Sequence, residues 1–134
     1  MRKRRGSGRR QPENKLLKRA IAETIAHTEQ QRMFYERFPH KEWKRHLDIL
    51  ELVLTEPRVN WVEIAPSISY MQEFIDAREK LREKHKALVE LRKNAGIQDS
   101  ASEVGRDHQK ADFQMATLKL LLVKVESKRS AAHN

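Results

Sequence analysis

One stretch of the chain, residues 69–94, constrains the fold more than any other. It contains neither Pro nor Gly, and apolar residues recur along it at spacings of four and three, the pattern of one face of an α-helix. These apolar residues are Tyr70, Phe74, Ala77, Leu81, Leu88 and Leu91. At about 1.5 Å per residue, the stretch forms a rod of roughly 39 Å. A rod of that length predicts a bundle in which shorter helices pack along it.

Both ends of this rod carry helix-end signals. Ser69 is followed three residues later by Gln72, which is the spacing of a capping box, and Gly96 stands where a helix C-cap is expected. Lys84 interrupts the apolar stripe, so a clean coiled-coil seam is not predicted. His85 falls on the charged side of the rod, where the pattern predicts solvation.

Three further helices are predicted from apolar spacing and turn residues, and the predicted fold class is all-α. The helices cover about 13–36, 40–55, 67–94 and 107–128, with a polar linker at 97–106. They form a three- to four-helix bundle around the long amphipathic helix, in a single domain, 13–134. The stripe predicted for the first helix is Leu17, Ala20, Ile21, Thr24, Ile25 and Thr28. Residues 57–68 lack a partner strand, so one helical turn near Asn60 is favoured there.

The net charge of +9 is concentrated at the N-terminus. Residues 1–19 hold nine basic residues and one acidic residue, a net charge of +8, whereas the remainder of the chain is close to neutral. Residues 1–12 have no apolar side chain beyond Met1, so they are predicted to be a flexible, disordered basic arm. Such an arm favours partners that carry phosphate.

This charge pattern predicts a nucleic-acid-binding accessory protein, a small basic subunit of a ribonucleoprotein or nucleoprotein assembly. The arm is expected to contact the phosphate backbone, without reading bases, and RNA is favoured over DNA. The candidate nucleic-acid-binding residues are Arg2, Lys3, Arg4, Arg5, Arg9, Arg10, Lys15, Lys18, Arg19, Lys41, Lys44 and Arg45.

Half of the aromatic residues fall within ten positions of the chain. They are Phe34, Tyr35, Phe38 and Trp43, and basic residues lie among them. Two interpretations are open. The aromatics can form a surface on which bases stack, with the basic residues binding phosphates. Alternatively, they fill the core at a helix junction, an interpretation favoured by Pro39, which requires a turn there.

Trp43 and Trp61 are 18 residues apart, and the second lies in the sequence NWVEIA. In these features, residues 41–81 resemble the Myb/SANT family in part. The resemblance implies a helix with a core Trp, a second helix that opens on a Trp, and a third helix. The residues after Trp43 are basic where the family is acidic, no third Trp stands near position 79, and the third helix is far longer. No base-reading residue is therefore assigned from it.

The last predicted helix is apolar on more than one side. Its main stripe is Ala111, Met115, Leu118, Leu122 and Val125, which is predicted to pack internally. Leu120, Leu121 and Val123 add a strip that is predicted to be a protein interface. This strip supports the alternative function, a helical structural adaptor of a larger phage, organellar or membrane-associated complex with no nucleic-acid role.

Several classes of function find no support in the sequence. There is no Cys, no Gly-rich phosphate loop before a helix, and no tight spacing of His residues, so neither catalysis nor a cofactor or metal is predicted. No apolar run approaches the roughly 20 residues that span a bilayer. The first twelve residues match neither a secretory signal nor a clear mitochondrial presequence. We therefore expect an intracellular protein, and homo-oligomerisation is compatible with the pattern.

Overall fold

The structure, a computed structural model, is helical throughout its regular elements. It describes the backbone of residues 3–97 and 101–133 and the side chains of residues 14–97 and 113–132. Four helices follow one another in the described chain: α1 Lys3–Arg37, α2 His40–Val53, α3 Trp61–Asn94 and α4 Ala101–His133. The predicted all-α class and the helical bundle are confirmed.

Two of the helices extend into segments that were predicted to be non-helical. α1 begins at Lys3, so the expected disorder of residues 1–12 is not confirmed. α4 begins at Ala101, inside the predicted linker 97–106, and runs to His133. Both extensions add mostly polar or small residues to helices that already exist. Adding a turn to an existing helix needs no second nucleus, so such extensions are not visible in apolar spacing.

α3 is the element on which the other three helices pack. Its 34 residues span roughly 51 Å. α1 runs antiparallel to it, because Thr24 contacts Arg92 at one end of the pair and Phe38 contacts Tyr70 at the other. α2 and α4 also pack on α3 and on each other. The long helix is thus the spine of the bundle, as its sequence predicts.

The core lies where all four helices meet, around Phe74. Its ring centroid is 5.4 Å from that of Phe34 and 5.5 Å from those of Phe38 and Trp43, so one side chain joins α1, α2 and α3. The buried core residues are Phe34, Phe38, Leu50, Val53, Ile68, Met71, Phe74, Ile75, Met115, Leu118, Leu122 and Val125. Four of the five residues in the main stripe predicted for the last helix therefore pack internally, and the side chain of the fifth, Ala111, lies outside the described residues.

α3 begins eight residues before the predicted capping box. Asn60 is its N-cap, and the Asn60 side-chain oxygen accepts a hydrogen bond from the backbone N–H of Glu63 at 3.4 Å. The helix continues through Pro66, which removes one intrahelical hydrogen bond without ending the helix. The capping box at Ser69 is therefore wrong, because Ser69 lies inside α3. The same continuity separates the chain from the Myb/SANT pattern, since Trp61 opens one long helix.

The end of α3 follows its sequence signal. Gly96 adopts a left-handed conformation with φ +85°. The N–H of Ile97 donates to the carbonyl of Arg92 at 2.9 Å, and the N–H of Gly96 donates to the carbonyl of Lys93 at 3.1 Å. These two bonds form a Schellman motif, which satisfies carbonyls left open at the helix end. The predicted C-cap at Gly96 is confirmed.

α4 is tied to its neighbours by two lysines. The Lys128 ammonium donates to the backbone carbonyl of Val53 at 2.6 Å and to that of Glu56, at the end of α2. A cation is favourable there because the last carbonyls of a helix lack intrahelical partners. Lys119 forms an ion pair with Glu79 of α3 at 2.7 Å.

Candidate nucleic-acid interface

The antiparallel packing of α1 on α3 brings together two basic segments that are distant in sequence. Residues 14–28 of α1 carry three basic residues and one acidic residue, and residues 80–94 of α3 carry six basic and two acidic residues. The two segments lie side by side, since Arg92 Nη1 donates to Thr24 Oγ1 at 3.2 Å. Together they are termed the basic tip, and their net charge is +6.

The middle of the chain has the opposite charge. Residues 29–79, which comprise the rest of α1, all of α2 and the first part of α3, hold seven basic and ten acidic residues, a net charge of −3. Charge is therefore polarised along the α1–α3 pair. The basic arm precedes the tip in the chain, so both belong to the same end of α1. α4 packs on this middle part, and its residues 113–132 hold four basic residues and one acidic residue, so the body of the bundle is close to neutral. The basic tip should therefore attract a polyanion more strongly than the body does.

The predicted binding residues fall into separate groups. Lys15, Lys18 and Arg19 are exposed on α1 within the basic tip, and in the described part of the chain none of them forms an ion pair. Lys41 and its neighbours on α2 lie beyond the far end of α1, roughly 27 Å away. The structure thus does not join these two groups. The side chains of the remaining predicted residues lie outside the described residues: Arg2, Lys3, Arg4, Arg5, Arg9 and Arg10.

Two of the three basic residues of α2, Lys44 and Arg45, pair with acids on the same helix, whereas Lys41 has no ion pair among the described residues. Lys44 is 3.1 Å from Asp48, and Arg45 is 2.5 Å from Glu42. The hydrogen bond from Arg45 lowers the pKa of the Glu42 carboxyl below its ordinary value. Exposed pairs such as these stabilise a fold only weakly, because water and salt screen them. A phosphate would nevertheless have to compete with the carboxylates, so this group is less suited to phosphate than the basic tip.

The aromatic cluster fills the core more than it forms a surface. Phe34 and Phe38 are buried, and Trp43 is half-buried against Phe74. Only Tyr35 of the four stays largely exposed, at 62%. The core interpretation of the helix junction is therefore confirmed for the two phenylalanines. A run of bases could not stack on this cluster without opening the bundle.

The inward face of α1 differs from its predicted stripe. Ile21 and Ile25 are 51% and 66% exposed, whereas Ala20, His27 and Phe34, at intervals of seven, are buried. The predicted apolar stripe is therefore rotated about the helix axis relative to the buried face, because His27 was not counted as an inward residue. The interval of seven was the signal that could have identified His27.

Two histidines meet in the seam between the tip helices. The His27 and His85 ring centroids are 5.6 Å apart. His85 was predicted to be solvated, but it is half-buried because α1 covers that side of α3. Burial, followed by the charges of His85 and Lys84, lowers the pKa of His27 below its ordinary value.

A cleft of about 220 Å³ opens beside His27, between the tip helices. Its polar lining comprises Arg19, Glu23, His27, Gln30 and Lys84. His27 is only 7% exposed, and neither of its ring nitrogens has a hydrogen-bond partner among the described residues. A buried polar group without a partner costs about 1–3 kcal/mol. Sequence reasoning identified Arg19 alone, because the contribution of Lys84 depends on how α3 is rotated against α1.

A Glu–His–Ser chain joins α2 to α3. His46 Nδ1 is 2.8 Å from Ser67 Oγ, and His46 Nε2 is 3.2 Å from Glu42 Oε1. These are the residue types of a nucleophile, base and orienting carboxylate. Ser67 is only 2% exposed, however, and it lines neither of the clefts described here. The three residues thus link the two helices, and the link is buried at Ser67 and His46 but open to solvent at Glu42.

An apolar groove of about 550 Å³ lies on the body of the bundle, between α2 and α4. Leu120 and Leu121 line it, together with the rings of Tyr35, Trp43 and Phe113. Val123, the third member of the predicted interface strip, does not line it. Leu120 and Val123 are 53% and 62% exposed, whereas Leu121 is half-buried against the core. The structure thus divides the predicted strip.

Comparison of the chain with protein families, with curated proteins and with solved structures finds no match. Within the described residues, no group of three or more His, Asp or Glu side chains could hold a metal ion. None of the described helices combines the length and the apolar character needed to cross a membrane.

Proposed function

We propose that this protein is a non-catalytic nucleic-acid-binding accessory subunit of a ribonucleoprotein or nucleoprotein assembly. The observation that carries the proposal is the basic tip, where the fold places the positive start of α1 beside the positive end of α3. Three basic residues of this tip, Lys15, Lys18 and Arg19, are free of ion pairs within the described chain. The arm adds six more basic residues at the same end of α1.

The mechanism is neutralisation of the phosphate backbone. Lys and Arg side chains displace the counterions of a nucleic acid, and the release of those ions drives binding. Contacts to phosphates fix a position but do not read a sequence, so binding is expected to depend on shape. RNA is favoured over DNA, because basic helices and arms suit the irregular grooves and single strands of folded RNA.

The test compares two triple variants that lose the same charge. Lys15, Lys18 and Lys80 are exposed residues of the basic tip, and all three are changed to Gln. The control changes three basic residues of α2 to Gln: Lys41, Lys44 and Arg45. Binding to a single-stranded RNA is followed by fluorescence anisotropy over a range of salt concentrations.

The tip variant is expected to bind RNA more weakly. The slope of log K against log salt should become shallower by up to about 2, since each phosphate contact on a single strand contributes about 0.7. The α2 control is expected to keep the wild-type slope. Equal losses in both triple variants would show that net charge alone governs binding. A wild-type slope in the tip variant would overturn the proposal.

A second function, a helical adaptor that docks on another protein, is favoured by the apolar groove. Leu120 and Val123 are similarly exposed, but only Leu120 lines the groove, so the two residues form a matched pair. An adaptor that uses the groove should lose its protein partner through Leu120→Lys and keep it through Val123→Lys. Copurification with and without nuclease separates the two functions, because a nucleic-acid-dependent complex disperses when the nucleic acid is degraded.

A further inference from the structure

The cleft beside His27 has the composition of an oxyanion site. We infer that it binds one phosphate group of the nucleic acid, an inference that rests on the proposed function. Arg19 of α1 and Lys84 of α3 flank the cleft, and His27 lies in its inner wall. The sequence alone did not bring these three residues together. Arg19 and His27 belong to α1, whereas Lys84 belongs to α3 and follows His27 by 57 residues.

His27 supplies the observation that points to a ligand. Its ring is more than nine-tenths buried, and both nitrogens lack a hydrogen-bond partner within the described chain. A phosphate oxygen in the cleft can accept a hydrogen bond from a ring N–H. The cleft volume of about 220 Å³ is ample, since a single water molecule needs about 10–15 Å³ of such space.

The charges around the cleft select an anion over a cation. Arg19 and Lys84 each bring a full positive charge, and Glu23 is the one carboxylate in the lining. The lining therefore has a net charge of +1 when His27 is neutral and +2 when it is protonated. The guanidinium of Arg19 can also donate hydrogen bonds to two oxygens of one phosphate in a fixed geometry.

Binding at this site is coupled to the protonation of His27. The groups that face the ring are Arg19 and Glu23 on α1 and Lys84 and His85 on α3. An anion in the cleft offsets the repulsion from Lys84 and gives a protonated ring a hydrogen-bond acceptor. Phosphate should therefore bind more tightly as the pH falls, and its binding should raise the pKa of His27.

The phosphate can come from a nucleic-acid backbone or from a small free anion, and the experiment separates these sources. Inorganic sulfate is the first probe, because it keeps its charge between pH 5 and pH 8. The ring signals of His27 in the full-length protein are followed by nuclear magnetic resonance as sulfate replaces chloride at constant ionic strength. A single-stranded RNA oligonucleotide is then added to the sulfate-loaded protein.

Two exposed lysines of α3 give a matched pair of variants. Lys84 lines the cleft, whereas Lys80, one turn earlier, does not. The wild-type protein is expected to show a saturable shift of the His27 signals and a raised pKa of that ring. Lys80→Gln removes a charge of the basic tip outside the cleft, so it should weaken RNA binding but keep this response to sulfate. Lys84→Gln is expected to raise the dissociation constant for sulfate by about tenfold, because one charge-assisted hydrogen bond is lost. Arg19→Gln, compared with Lys18→Gln, repeats the test from α1.

The outcomes distinguish failure of the anion site from failure of the proposed nucleic-acid binding. Sulfate that leaves the His27 signals unchanged, or that acts equally on Lys84→Gln and Lys80→Gln, overturns the site even if RNA binds elsewhere on the tip. Saturable sulfate binding that RNA does not displace supports an anion site and overturns its assignment to a nucleic-acid phosphate. Displacement of sulfate by RNA, lost in both cleft variants, supports the whole inference.

Discussion

Removing the ring of Phe74 tests the packing on which the bundle depends. The side chain is only 6% exposed, and its ring contacts those of Phe34, Phe38 and Trp43 at centroid distances of 5.4 to 5.5 Å. Truncation of a buried Phe to Ala typically costs about 3–5 kcal/mol, and each aromatic pair adds about 0.5–1.5 kcal/mol beyond its buried area. Because three pairs are lost together, we expect a cost near 5 kcal/mol for Phe74→Ala. A domain is stabilised by only about 5–15 kcal/mol in total, so the loss is large.

Urea unfolding measures this loss by circular dichroism and, independently, by tryptophan fluorescence, to which Trp43 against the Phe74 ring and Trp61 both contribute. Gln72→Ala is the control, because Gln72 is exposed on the same helix two residues earlier. The control should change the free energy of unfolding by no more than about 0.5 kcal/mol. If the two variants unfolded at the same urea concentration, Phe74 would not lie at the junction of three helices, and the packing described here would be wrong.

Three further changes have defined outcomes. The pKa of His27 is lowered in the folded state, so the unfolded state binds more protons below about pH 6.5, and the free energy of unfolding of the wild-type protein falls there. His27→Gln should therefore lose less thermal stability than the wild-type protein when melts are compared from pH 7.5 to pH 5. Gly96→Ala should cost about 1 kcal/mol in urea unfolding, because φ is +85° at that position, and an unchanged midpoint would exclude strain. Ser67→Ala should cost about 1–3 kcal/mol by the same measurement, because it leaves His46 Nδ1 buried without its partner, and a stabilised variant would contradict this.

The fold was predictable where the signal is local. The apolar spacing along α3 identified Phe74 as buried, and Gly96 marked the end of that helix, since a left-handed residue at a helix end favours glycine. The start of α3 was misplaced, because Ser69 and Gln72 were interpreted as its capping box. The actual cap, Asn60 with Glu63 three residues on, was present in the sequence at the same spacing as the rejected pair at Ser69.

The candidate site was less predictable, because it depends on how two helices face each other. Lys15, Lys18 and Arg19 were identified from charge alone, but their neighbours on α3 belong to a segment with mixed charges that gave no local signal. The inward position of His27 follows from an interval of seven, which competes with the stronger apolar signal of Ile21 and Ile25. Only the rotation of α1 about its own axis decides between these faces, and sequence does not fix that rotation when His and Thr lie in the seam.

Two polar contacts of α4 should respond differently to salt. The ion pair between Lys119 and Glu79 joins two side chains that are about half exposed, so dissolved ions screen it. Lys128 instead donates to the backbone carbonyls of Val53 and Glu56 at the end of α2, and its contact with Val53 is partly buried, so it is screened less. High salt should therefore weaken the polar contact of α4 with α3 more than its contact with α2. Any loosening of α4 that salt produces should begin near Lys119, not near Lys128.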